Sequence, residues 1–125
     1  MFAFLDLDRL PERTIILAMK PPSRYEIIYA PVVKNHVKAL GRQYYSLIRR
    51  TIEEQLGFEP LRATRNRKPL KRLAWFGATW ELRFGPNNRF RVFYRVEAER
   101  KEVLVLAIGE KKGNKLRIGG EEIEI

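Results

Sequence analysis

The chain has 125 residues, a formal net charge of +10, one histidine and no cysteine. That length suits a single domain, and the missing thiols exclude a disulfide scaffold, a cysteine nucleophile and a Cys-based metal site. With one histidine no metal and no cofactor is expected, and no apolar run approaches the roughly 20 residues of a membrane helix, so the expectation is a basic, cytoplasmic domain with an anionic partner.

Residues 1–24 are expected to be an N-terminal extension. Met1–Leu7 is apolar but interrupted by Asp6, with Asp8 next to it, and it lacks the pattern of a secretory signal. Pro21-Pro22 breaks any element there, and Met19 just before it is an alternative start. Tyr25–Ala30 is β-rich and ended by Pro31, which predicts a first strand. Val33, Val37 and Leu40 recur at helical spacing up to Gly41; Tyr45, Ile48, Ile52 and Leu56 form a second stripe up to Gly57. Helices joined this tightly predict an antiparallel hairpin.

Phe58–Gly77 follows as a basic linker containing Pro60 and Pro69. The period then becomes two. Trp80, Leu82 and Phe84 alternate with polar residues, Gly85-Pro86-Asn87-Asn88 signals a turn, and Phe90, Val92, Tyr94 and Val96 alternate again. Val103–Ile108 is apolar at every position, the mark of a central strand. A polar turn is expected over Glu110–Lys115. Leu116–Ile118 and Glu122–Ile125 add a short edge strand or a tail. The fold class is therefore α+β: an N-terminal strand, an antiparallel helical hairpin, then a three-stranded antiparallel meander, with the helices packed on one face of a small sheet.

The charge is concentrated. Arg62–Arg117 holds sixteen basic and five acidic residues, while the rest of the chain has nine and ten. Burial favours the hairpin register that puts Trp80, Leu82 and Phe84 on one face with Phe90, Val92 and Tyr94, because a one-residue slip would place arginines in the core. That register gathers Glu81, Arg83, Arg91 and Arg95 around Phe93 on a solvent-facing, basic, concave face. Arg62, Arg65, Arg67, Lys68, Lys71 and Arg72 flank it from the linker, and Lys112, Lys115 and Arg117 from the C-terminal side. All nine, with Arg95, are candidates to bind nucleic-acid phosphates.

This order of elements resembles the RelE/ParE superfamily of bacterial type II toxins. The resemblance is carried by TRNRKPLKR (Thr64–Arg72), WELRFG (Trp80–Gly85), RFRVFYRV (Arg89–Val96) and IGEKKGNKL (Ile108–Leu116), and it covers about residues 25–125. It implies a toxin neutralised by a cognate acidic antitoxin. The RelE-like branch implies a ribosome-dependent endonuclease that cuts mRNA and inhibits translation; the ParE-like branch implies a gyrase inhibitor with no nuclease site. A degenerate module that only binds RNA or protein is the third reading. The RelE-like pattern falls on Glu81 and Arg83 in the second strand, Arg91 in the third, and Lys111 after the strand-ending glycine. Glu81 and Arg117 depart from it, since they stand where a basic residue and a tyrosine are expected.

The chemistry can be matched to these residues. An internal 2′-hydroxyl attack needs a proton acceptor, a stabiliser of phosphoryl charge and a proton donor. Arg91 and Arg83 suit the second role. Glu81 is either the base or a partner of Arg95 or Arg83, and Lys111 or Lys112 is the acid. His36 is expected at the boundary of the first helix, Tyr45 in its neighbour's core stripe, and Trp75 and Phe76 as candidates to stack on bases. Gly120–Ile125 is expected to pair with the chain's own sheet or to leave that edge to the antitoxin.

Overall fold

A computed structural model of the protein describes residues 24–74 and 76–123. Residues 1–23 of the expected extension, Met19 among them, the stacking candidate Trp75 and the last two residues of the C-terminal segment lie outside the described residues. Strand β1 (Glu26–Tyr29) leads into helix α1 (Val33–Leu40), a 3₁₀ turn (Arg42–Tyr44) and helix α2 (Tyr45–Leu56). Six strands follow: β2 (Arg67–Pro69), β3 (Trp80–Phe84), β4 (Phe90–Glu97), β5 (Glu102–Lys112), β6 (Lys115–Ile118) and β7 (Glu121–Ile123). They form one sheet in the order β2-β3-β4-β5-β6-β7, antiparallel except for β1, which runs parallel to β5. Strand β4 holds one edge of β5 along most of its length. The other edge is shared: β1 pairs with its first half and β6 with its last four residues.

The α+β class and the helix-covered face are as the periodicity predicts. Leu82 pairs with Val92, Trp80 with Tyr94 and Phe84 with Phe90. Val33, Leu40, Ile48, Ile52 and Leu56 of the helices bury against Leu82, Phe84, Phe90, Val92, Tyr94, Val103, Val105 and Ile108. Each fully buried large side chain here contributes on the order of 1.5–3 kcal/mol. Gly41, at φ 111°, stops α1 in a conformation closed to most residues. Tyr45 departs from expectation: it is exposed, and Tyr44, one residue earlier, packs edge-on against Phe90 at 5.0 Å instead. The 3₁₀ turn that precedes α2 turns this neighbour toward the sheet.

Three further differences arise from contacts distant in sequence. First, the linker is anchored. Its β2 segment pairs with β3, Thr64 Oγ1 accepts from the backbone N–H of Asn66 and Arg67, and Asn66 Nδ2 donates to Arg83 O at 2.8 Å. Second, Phe93 pairs with Ala107 but Tyr94 with Val105, so Leu106 is an extra residue, a β-bulge. The bulge reverses the facing of β5 midway. Val103 and Val105 on one side of it and Ile108 on the other therefore all reach the helix-side core, which is why the run is apolar throughout. Third, β5 continues through Lys112, and the expected turn shrinks to Gly113-Asn114 because β6 pairs back immediately. Gly109 permits that close approach, since a Cβ there would collide with Arg117 O.

The second face is not the open surface expected. Phe93 is fully buried with Ala74, Ala78, Ala107, Leu116 and Ile118, and Leu70, Phe76, Leu106 and Ile123 pack against them. The anchored linker and the β6–β7 hairpin supply this cover. The charged site is therefore a groove beside a second small core.

Candidate functional site

Strands β3 and β4 place Glu81, Arg83 and Arg91 on the face opposite the helices, because all three sit between the core positions of the register. Arg83 and Arg91 are direct cross-strand partners, and Glu81 lies two residues along from Arg83. Glu81 joins them. Its Oε1 accepts from Arg83 Nε at 2.8 Å and its Oε2 from Arg91 Nη1 at 3.1 Å. Arg91 Nε also donates to Asn88 O at 3.0 Å. Glu81 is 7% exposed and Arg91 8%, whereas the Arg83 side chain is 35% exposed.

Two like charges at adjacent cross-strand positions repel, so a buried carboxylate between them is a physical requirement of this arrangement. The bridge also orients them. Both terminal nitrogens of Arg83 and one of Arg91 have no hydrogen-bond partner among the described residues. The groove they line has a volume of about 700 Å³ and is completed by Leu70, Phe93, Lys111, Asn114, Leu116 and Ile123. Lys111 is exposed on the far wall. An anion in this groove would meet two guanidinium groups held by Glu81 and one exposed ammonium.

The remaining predicted cations separate into groups. Arg65, Lys68, Lys71 and Arg72 are exposed and have no ion-pair partner among the described residues. Arg62 is exposed and pairs with Glu59 at 3.1 Å. Arg67 corrects the expectation of a uniformly solvent-facing stretch. It is buried, its Nε donates to Arg62 O at 3.1 Å, and its Nη1 donates to Gln55 O, the exposed carbonyl end of α2. It ties the linker to the helix. Arg95 stands apart from Glu81, nearest Glu97 at 3.8 Å. Lys112, Lys115 and Arg117 are exposed, and β7 lays Glu122 opposite Arg117, with Lys115 Nζ 3.6 Å from its carboxylate.

Tyrosine and histidine are not at the groove. Burial pushes the Tyr94 phenol well above its usual range, and its hydroxyl donates to Pro60 O at 2.8 Å. His36 is half-buried at the α1–β5 boundary, where its Nδ1 accepts from Ile108 N–H at 3.3 Å, and burial lowers its pKa. Phe76 packs edge-on against Phe93 at 5.6 Å, as part of the second core.

Arg89 was not among the predicted site residues. Its Nε contacts Glu110 Oε1 at 3.1 Å, its Nη1 donates to Tyr44 OH at 3.0 Å, and its guanidinium lies 4.9 Å over the Tyr44 ring and 5.2 Å over Phe90. The Tyr44 hydrogen bond is the largest cause holding its pKa above the ordinary value. Alternation along β4 could not have found Arg89, because it precedes the strand with an αR backbone and packs on Tyr44 and Phe90 of the helix-side core.

Comparison with protein-family models found no match, and comparison with curated proteins found none either. Among solved structures, the chain is similar to a chain of the toxin-antitoxin complex RelBE2 from Mycobacterium tuberculosis. The two share 23% identity with a TM-score of 0.57, over 70% of this chain and 92% of that one. The likeness is one of fold. Within this fold, the Glu81–Arg83–Arg91 bridge lies on the face away from the helices, across β3 and β4. Among the described residues no helix is long and apolar enough to cross a membrane.

Proposed function

We propose that the protein is the toxin of a type II toxin–antitoxin system, a ribosome-dependent endonuclease that cuts mRNA in the cytoplasm and so inhibits translation. The observation that carries this reading is the groove in which Glu81 clamps Arg83 and Arg91 opposite Lys111. Arg91 receives the scissile phosphate and stabilises its developing charge. Arg83, the more exposed partner, exchanges its contact from Glu81 Oε1 to a phosphate oxygen. The freed carboxylate oxygen takes the 2′-hydroxyl proton as the 2′-oxygen bonds to phosphorus. The bond to the 5′-oxygen breaks, and Lys111 delivers a proton to that leaving oxygen. The products are a 2′,3′-cyclic phosphate and a free 5′-hydroxyl. Arg62, Arg65, Lys68, Lys71 and Arg72 hold ribosomal RNA through its phosphates. An acidic, amphipathic antitoxin segment that folds on binding is the neutralising partner.

Cleavage mapping on programmed ribosomes tests this. Arg91→Ala should reduce A-site cleavage at least about 100-fold, the scale of losing one charge-stabilising group. Intact mRNA on toxin-bound ribosomes, together with undiminished toxicity of Arg91→Ala, would overturn it. A gyrase inhibitor of the same fold is the second reading. It is favoured by both Glu81 oxygens being engaged and by Arg117 standing where the RelE-like pattern has tyrosine. Blocked DNA supercoiling with unimpaired translation would establish that reading in place of the first.

A further inference from the structure

Beside the groove lies a separate cleft of about 530 Å³, lined by Pro86, Asn87, Arg89, Arg91, Lys111, Lys112 and Gly113. It has four cationic residues in its lining and no anionic one. Arg91 and Lys111 line both depressions, so the two adjoin along those side chains.

Arg89 is held from several sides in this cleft. Glu110 and Tyr44 hold two of its guanidinium nitrogens, and two aromatic rings lie against its plane. Its second terminal nitrogen has no partner among the described residues. A guanidinium fixed in this way loses little rotamer entropy on meeting an anion. The floor is shaped by the β3–β4 turn, where Asn87 and Asn88 adopt φ of 55° and 53°. Asparagine tolerates that backbone, and Arg89 closes the turn with an αR backbone immediately before β4, bringing it into the same lining as Arg91. Lys112 is exposed and is not part of the helix-side core.

We infer that this cleft is a second phosphate subsite, formed by Arg89 and Lys112, which seats the phosphate adjoining the scissile one on the same RNA strand. The inference rests on the nuclease reading for which phosphate lies in the groove. It adds a length requirement: the substrate must carry at least two successive phosphates across Arg91 and Lys111. It also gives Arg89 a role distinct from that of Arg83, since Arg89 touches neither Glu81 nor the reacting phosphate.

The test uses the full chain and a short single-stranded RNA, 2′-O-methylated to block cleavage, at low salt. Each phosphate in turn is replaced by an uncharged methylphosphonate. In the parent, two successive replacements should each weaken binding on the order of tenfold, the scale of a charge-assisted contact. Arg89→Gln and Lys112→Ala should abolish one of those two effects and lower the salt dependence by about one phosphate. Lys112 is exposed, so its variant keeps the test decisive if Arg89→Gln unfolds. A parent sensitive at only one phosphate, or variants that respond to both replacements as the parent does, would overturn the subsite. Cleavage of unmodified mRNA on ribosomes is scored separately. Coupling without cleavage supports the subsite and sinks the nuclease reading; cleavage without coupling does the reverse.

Discussion

The two faces of the sheet are built from the same strands and treat their charges in opposite ways. On the helix side every alternate residue of β3 and β4 is apolar, and the helices seal it. On the other side the same strands offer Glu81, Arg83, Arg91 and Phe93, and only part of that side is sealed. There Phe93 supplies a small core, and beside it the single carboxylate of Glu81 is shared between Arg83 and Arg91. The difference teaches that this fold separates stability from binding by strand parity. One residue's step along β4 moves from a side chain whose loss opens a cavity to one whose loss empties a site.

That separation can be broken by substitution, beginning with the largest effect. Phe90→Ala removes a fully buried ring that touches Tyr44 and Phe84. Urea unfolding should show a loss of about 3–5 kcal/mol, and a loss below about 1 kcal/mol would mean the helix side is not the stabilising face. Arg91→Ala, one residue on, should cost less stability than Phe90→Ala while cutting cleavage far more than its stability loss explains. If activity and stability fall in step for both variants, the division between faces fails.

The linker offers a finer comparison. Arg67→Ala strands the Gln55 and Arg62 carbonyls, and should cost about 1–3 kcal/mol with little change in RNA binding. Its neighbour Lys68 is exposed and unpaired among the described residues. Lys68→Ala should stay within about 0.5 kcal/mol of the parent yet weaken RNA binding and lower its salt dependence. Equal behaviour of the two variants would erase the contrast. The smallest effect concerns His36, whose neutral form accepts the Ile108 N–H. Burial lowers its pKa when folded, so the unfolded chain binds more protons in acid. Its contribution is whole above its unfolded pKa near 6.5 and is lost as pH falls below that. Parent and His36→Ala compared at neutral and mildly acid pH should show the larger acid loss in the parent; parallel losses would remove His36 from that account.

Strands β1, β3 and β4, the first part of β5, both helices and the hairpin register were legible because each shows in local periodicity, and Trp80, Leu82 and Phe84 tolerate only one facing. Among the site residues, the shared face of Glu81, Arg83 and Arg91 followed from parity alone. What was not legible depends on long-range contacts. The linker looked free because its anchors are Gln55, Arg83 and the Tyr94 hydroxyl, all distant in sequence. Arg67 is chemically identical to its exposed neighbours, so only its place under α2 shows that it is internal. The choice of Arg83 and Arg91 over Arg95 as partners of Glu81 depended on distances that alternation does not contain.

By itself the sequence determined the α+β class, the place of the surplus charge and the side of the sheet on which it falls, since all three follow from composition and period. Only the tertiary structure decided that Phe93 is core, that Leu106 forms the bulge which makes β5 apolar throughout, and that β7 lays an acidic residue against Arg117. It also decided that two adjoining depressions share Arg91 and Lys111. The reason is the same in each case: parity along one strand is a local property, whereas cover and ion pairing depend on which distant segment folds back onto it.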